Sequence, residues 1–158
     1  MVYGLKFQCK KTLERDHAVP PLDGFWWADD MDAFLRRDKD QWKWTVALRQ
    51  PDYVDAAMVE QMREQVIAKN ARKKDAPTDA AHLARVRLED RREGAVVQIL
   101  HVGSYEDETP VLAKMHHEII PERGLKMTGL HHEIYLNDPR RTPPGKLKTI
   151  LRQPVMPA

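Results

Sequence analysis

HHEIYLNDPRRTPPGKLKTILRQPV, residues 131 to 155, decides the fold. His131, Glu133 and Tyr135 alternate with His132, Ile134 and Leu136, the period of two that a strand imposes on its side chains. The alternation reaches back through LKMTGL and is broken by Asn137, Asp138 and Pro139, after which KLKTILRQP resumes as a second extended run. Two strands joined by a Pro- and Arg-rich loop require a sheet, and the rest of the chain must say what accompanies it.

Upstream, AVVQILHVG (95–103) reads as a strand, and RVRLED (85–90) as its hairpin partner across Arg92-Glu93-Gly94. Between these and the quoted stretch, Glu106, Asp107 and Glu108 precede Pro110. Acidic residues with an early proline suit the positive first turn of a helix, which runs to about Ile120 before Pro121 and Gly124 end it. Nearer the start, Phe25 to Ala28 and Trp42 to Arg49 are strand candidates, the latter setting Trp42, Trp44, Val46 and Leu48 against Lys43, Thr45, Ala47 and Arg49.

After Pro51, Asp52 is the expected cap of a helix in which Val54, Met58, Met62 and Val66 recur every four residues, with Glu60, Arg63, Glu64 and Lys69 on the far side. The methionines read as core. Asn70 to Ala81 is polar, contains Pro77 and reads as a linker. Strands interspersed with helices give an α+β class.

A chain of 158 residues suits one domain. Lys and Arg number 26 against 24 Asp and Glu, a balance that does not indicate a nucleic-acid or acidic-membrane partner. The basic clusters Arg72, Lys73, Lys74 and Arg140, Arg141 are short, and no helix-turn-helix pattern points to direct DNA binding. The single cysteine, Cys9, can form no internal disulfide, and no run approaches the roughly 18 apolar residues of a spanning helix, so a cytoplasmic location and no membrane partner are expected.

Two tetrapeptides recur. Leu48-Arg49-Gln50-Pro51 returns as Leu151-Arg152-Gln153-Pro154, and Gly4-Leu5-Lys6-Phe7 resembles Gly124-Leu125-Lys126-Met127, in the same order in each half, as an internal duplication would leave them.

HHEI also occurs twice, at His116 to Ile119 and at His131 to Ile134. A helical zinc hydrolase site needs a second histidine four residues after the first, and both copies lack it. In the first copy, helical spacing puts Leu112, Met115 and Ile119 on one apolar face with His116 at its edge and His117 and Glu118 turned away, which reads as a surface helix.

In the second copy, Glu133 shares a strand face with His131 and Tyr135. A carboxylate in an otherwise apolar strand is costly to bury unless paired, protonated or facing a ligand, so Glu133 is the functional candidate, against the plainer reading of a solvated or ion-paired glutamate. A metal on His131 and Glu133 would need a third ligand that no spacing supplies, His101 being the conceivable one; no metal and no cofactor are expected. All four tryptophans fall between Trp26 and Trp44, and aromatic walls around one carboxylate suit a flat, apolar or cationic ligand.

PPLDGFWW (20–27), DQWKWTVALRQPDYV (40–54), VQILHVGSYEDE (97–108) and the quoted final block together resemble the GyrI-like small-molecule-binding domains, relatives of the ligand-sensing domains of multidrug-responsive transcription regulators; the chain is similar to their stand-alone group. The resemblance implies a pseudo-twofold pair of strand-helix-strand-strand repeats, a mainly antiparallel sheet and a ligand pocket in a central groove. It implies one domain over 1–158, with a first repeat and connecting helix over 1–69, a linker over 70–84 and a second repeat over 85–158. Against that pattern the first repeat is expected to lack its N-terminal strand and most of its helix: either the recorded start is late, or the repeat is incomplete and leaves a sheet edge open to a protein partner or a second copy.

It further implies that Glu133, with Tyr135 beside it, is the pocket glutamate, and that Trp26 or Trp27, Trp44 and Tyr105 are aromatic pocket positions. The expected ligand is a small hydrophobic, planar or cationic molecule. The resemblance also implies, as a second function, hydrolysis of the strained cyclopropane of DNA-alkylating natural products, in which Glu133 would orient or deprotonate a water and Tyr135 or Tyr105 would donate a hydrogen bond; a protein-interaction or gyrase-protecting role is a third reading, favoured by an exposed sheet edge.

Overall fold

A computed structural model describes residues 1–30, 32–36, 38–72 and 80–158. They form two compact units, one made of residues 1–20 and 49–91 and the other of 21–48 and 92–158. Among the described residues no helix is long and apolar enough to cross a membrane.

The first unit is helical. Helix α1, Val2–Thr12, packs on a long helix formed by Ala56–Asn70. Leu5 and Cys9, four residues apart on one face of α1, meet Val54, Val59 and Met62 in a small core. Gly4 permits the approach, because a Cβ there would lie 2.8 Å from the Met62 sulfur.

The long helix is capped by Asp55, whose carboxylate accepts the Met58 N–H at 2.8 Å, and not by the expected Asp52. Residues 51 to 54 close a turn first, Val54 N–H to Pro51 carbonyl at 2.9 Å, which delays the helix by three residues. Of the expected linker, residues 73–79, with Lys73, Lys74 and Pro77, lie outside the described residues, and Ala80–Ala84 is a short helix.

RVRLED forms no strand and no hairpin. Arg87 and Arg91 both pair with Glu89, and Arg63 donates to the Val86 carbonyl at 3.1 Å. The extended segment thus finds its partners locally and in the helical unit, without a ladder.

Among the described residues the second unit is built on a six-stranded sheet. Strands β1 (Leu22–Trp27), β2 (Lys43–Ala47), β3 (Val96–Val102), β4 (Leu125–Met127), β5 (His131–Tyr135) and β6 (Lys148–Pro157) are arranged β2-β1-β5-β6-β3, with β4 also on β6. Every pairing is antiparallel. The expected single run from Leu125 is two strands, because Gly129 takes a left-handed φ of 59° and the Thr128 N–H turns to the Pro154 carbonyl. Trp42 lies just ahead of β2, its ring stacked on Phe34 and its indole N–H given to the Ala33 carbonyl.

One helical run covers part of this sheet: Glu108–Lys114 is α-helical, Met115–Ile119 forms a π turn, and Ile120–Glu122 completes it. Pro121 has no N–H to offer the His117 carbonyl, so the turn before it is free to widen. Met115 and Ile120 bury against Leu151 and Val155 of β6, the core of this unit.

The architecture is the expected mixture of helices and antiparallel sheet. The two tetrapeptide echoes do not mark equivalent elements. Gly4 to Phe7 are helical whereas Leu125–Met127 is a strand, and Leu48 to Pro51 follow β2 whereas Leu151 to Pro154 lie inside β6. Four residues are too few to fix conformation, and their neighbours decide it.

Candidate ligand-binding site

Alternation along β5 puts His131, Glu133 and Tyr135 on one face, as expected. Antiparallel register sets Trp26 of β1 opposite His131 and Gly24 opposite Glu133. The Tyr135 hydroxyl donates to Glu133 Oε2 at 2.6 Å and accepts the Trp26 indole N–H at 3.0 Å. A phenol has one proton to give, so this chain of three is complete in one direction, from indole to phenol to carboxylate.

Gly24 makes room for it. A Cβ at that position would stand 2.9 Å from both the Trp26 nitrogen and the Tyr135 oxygen.

The same register resolves the tryptophan pair. Trp26 lies on the Glu133 face, whereas its neighbour Trp27, opposite Lys43, has the other face by alternation. Trp44 is directly across from Trp26, ring centroids 6.5 Å apart, and Trp42 meets Trp26 edge-on at 6.0 Å. Trp44 is 59 % exposed, so this face of β2 presents its ring outward instead of burying it in a core. At the other end of β5, Tyr105 packs edge-on to Tyr135 at 5.7 Å. Tyr135 and, through it, Trp26 are thus linked to Glu133 by hydrogen bonds, Tyr105 and Trp44 pack on those two rings, and Trp27 has the other face by alternation.

Glu133 is largely enclosed. No lysine or arginine among the described residues pairs with it; besides the Tyr135 hydroxyl its ionisable neighbour is His131, with Nε2 3.4 Å from Oε1. Two further polar residues on this side escaped the sequence reading.

Glu108, at the start of the helical run, is 5 % exposed, and its Oε1 has no hydrogen-bond partner. Burial, with the charge of Glu133 added, pushes its carboxyl up to about 8. Its position was legible: the spacing that puts Leu112, Met115 and Ile119 on one face puts Glu108 there too. The acidic run around it had suggested only a favourable first turn.

His116 is the second. It was expected at the edge of a surface helix. The structure instead sets it edge-on to His131 with ring centroids 5.9 Å apart, so the leading histidines of the two HHEI copies meet. Burial, and then His131, push His116 down to about 4, which leaves it neutral near pH 7. His117 and Glu118 are exposed as expected.

Burial, followed by the Glu133 charge, raises the Tyr135 hydroxyl; burial, followed by Glu108 and Glu133, raises that of Tyr105. Both phenols hold their protons.

His132, on the opposite face, is enclosed in a separate network. It stacks on Phe25, lies 2.7 Å from Glu93 through Nδ1 and 3.7 Å from Asp23 through Nε2, while Arg152 holds the other Glu93 oxygen. His101, the conceivable third metal ligand, has its Nε2 on the Ser104 carbonyl at 3.0 Å. Among the described residues no three His, Cys, Asp or Glu converge as metal ligands would.

The overall fold is shared with solved structures. A solved structure described as a hydrolase from Listeria innocua is 38 % identical, with a TM-score of 0.77 over 98 % of this chain and 74 % of its own. Another, described as an uncharacterized conserved protein from Listeria innocua, is 40 % identical at a TM-score of 0.76, with the same 98 % and 74 % coverage. No curated protein matches the chain. The family model for the GyrI-like small molecule binding domain matches residues 52–156, and the chain belongs to that family.

Proposed function

We propose that this protein binds hydrophobic, planar and in particular cationic small molecules against Trp26, Trp44, Tyr105 and Tyr135, with Glu133 as the carboxylate that meets the ligand's charge. The observation that carries the reading is the Trp26 to Tyr135 to Glu133 chain. It orients the Glu133 carboxyl amid rings, with no lysine or arginine among the described residues paired with it. An aromatic face attracts a flat cation through its quadrupole, and the carboxylate adds a directed charge where water is scarce. Titration with ethidium, a flat monocation, should quench tryptophan fluorescence saturably, whereas quenching that only rises in proportion to dye would remove the reading.

The hydrolase reading rests on the same residues and is favoured by the description of the first similar Listeria innocua structure as a hydrolase. Here Glu133 would take a proton from a water whose oxygen bonds to a strained cyclopropane carbon as a ring C–C bond breaks, the released electron pair passing to a conjugated substrate oxygen that then takes up a proton. Tyr135 would hold the carboxylate in place, and Tyr105 would give a hydrogen bond to the substrate oxygen that gains charge. Help from a general base of this kind is worth about 100-fold to 10,000-fold in rate. Incubation with a cyclopropane-bearing alkylator should yield a product heavier by one water, at a rate that falls in Glu133→Gln. An unchanged alkylator leaves binding alone.

A further inference from the structure

The helical run and β5 lie along one another with matched lengths. Tyr105 meets Tyr135 at one end and His116 meets His131 at the other, at 5.7 and 5.9 Å. Eight helical residues from Glu108 to His116 advance about 12 Å, and four strand residues from Tyr135 to His131 about 13 Å. Glu108 therefore falls on the stretch of β5 that carries Tyr135 and Glu133. It is a carboxyl with 5 % exposure whose Oε1 has no hydrogen-bond partner, and among the described residues the groups that act on it are the Glu133 charge and, in the opposite sense, the Thr149 hydroxyl, neither of them basic. The ionisable groups that face it are Glu133 and Tyr135 from β5 and Tyr105 from the turn preceding its own helix. None of them can supply a positive charge.

We propose that Glu108 is a second, adjustable charge of the ligand site: an uncharged acid while the site is empty, it releases its proton to solvent when a cationic ligand settles beside Glu133, so that the site accepts flat dications as well as monocations. This rests on the binding reading above and deepens it. Burial and the Glu133 carboxylate keep the Glu108 proton in place, and both influences are opposed once a positive ring system lies between or beside the two acids. One carboxylate then balances a monocation, and two balance a dication, without a permanent unpaired charge in the empty site.

Calorimetry at pH 7 in buffers of different ionisation enthalpy counts the protons released per ligand bound. Methyl viologen, a flat dication, should release most of one proton per site. Ethidium should release fewer and the uncharged dye Nile red none. Glu108→Gln, which keeps the shape of the protonated acid, should still bind ethidium and abolish the release. Cation binding with no proton released, or release that persists in Glu108→Gln, overturns the role of Glu108 while leaving the binding site intact. Failure of both cations to bind removes the binding reading itself, and this inference with it.

Discussion

Tyr135 donates its one hydrogen bond to Glu133 and accepts another from Trp26, and this arrangement depends on a residue that contributes no side chain at all, Gly24. Its missing Cβ is the space that the Tyr135 oxygen and Trp26 nitrogen occupy. Gly24→Ala should therefore cost about 1–3 kcal/mol by forcing those groups aside, as overpacking of a well-filled site does. In a Tyr135→Phe background the same change should cost less, since one of the two crowded atoms is gone. Denaturant unfolding of the two single variants and the double variant measures the coupling, and equal costs in both backgrounds would show that the hydroxyl is not what fills the space. The partnership of Glu133 and Tyr135 was legible in the sequence because a period of two is rigid. The choice between Trp26 and Trp27 was not, since it depends on which residue of β1 falls opposite His131, a matter of register between distant segments.

The helical run from Glu108 shows what periodicity carries and what it leaves out. Its apolar face was readable, and Met115 and Ile120 do bury against Leu151. Leu151→Ala should cost about 2–5 kcal/mol by opening a cavity beneath them. Asp55→Ala should cost only about 1 kcal/mol, through one lost cap. A thermal or denaturant midpoint for each variant checks the order, and an Asp55 effect as large as that of Leu151 would mean that helix capping outweighs this core. The π turn was not legible, because it follows from a missing N–H at Pro121 together with the packing of His116 on His131. RVRLED failed as a strand for a related reason: its apolar and charged residues alternate correctly, but alternation says nothing of a partner. Val96–Val102 pairs with β6, whereas Arg87, Glu89 and Arg91 satisfy one another.

Over the whole molecule, two buried groups with opposite displacements shape stability against pH. Glu108 is raised from 4.5 to about 8 on folding, so the folded state holds a proton that the unfolded state has lost, and stability falls as pH rises between those values. His116 is lowered from 6.5 to about 4, so the unfolded state holds the extra proton, and stability rises with pH across that interval. From about 4.5 to 6.5 the two oppose each other; from about 6.5 to 8 only Glu108 acts. Unfolding free energy should be flat in the first window and fall in the second, by at most about 1.4 kcal/mol per pH unit. Glu108→Gln should remove the fall, and a fall that survives the substitution would assign it to another group.

At this scale the fold class and the family were readable from the long final block and the order of the motifs. The duplication suggested by LRQP and GLK was not carried by those short words, since the same residues were drawn into a helix and a strand, or into a strand and the segment that follows one, by the surfaces around them.

The central claim is that Glu133, held by Tyr135 among aromatic rings, recognises positive charge on a flat ligand. Paired fluorescence titrations of the wild-type protein and Glu133→Gln, each with ethidium and with Nile red, test it most directly. The account predicts that the substitution weakens ethidium by about tenfold or more, the scale of losing one enclosed charge pair, while Nile red changes by less than about threefold. Equal loss for both dyes, or none for either, would contradict it.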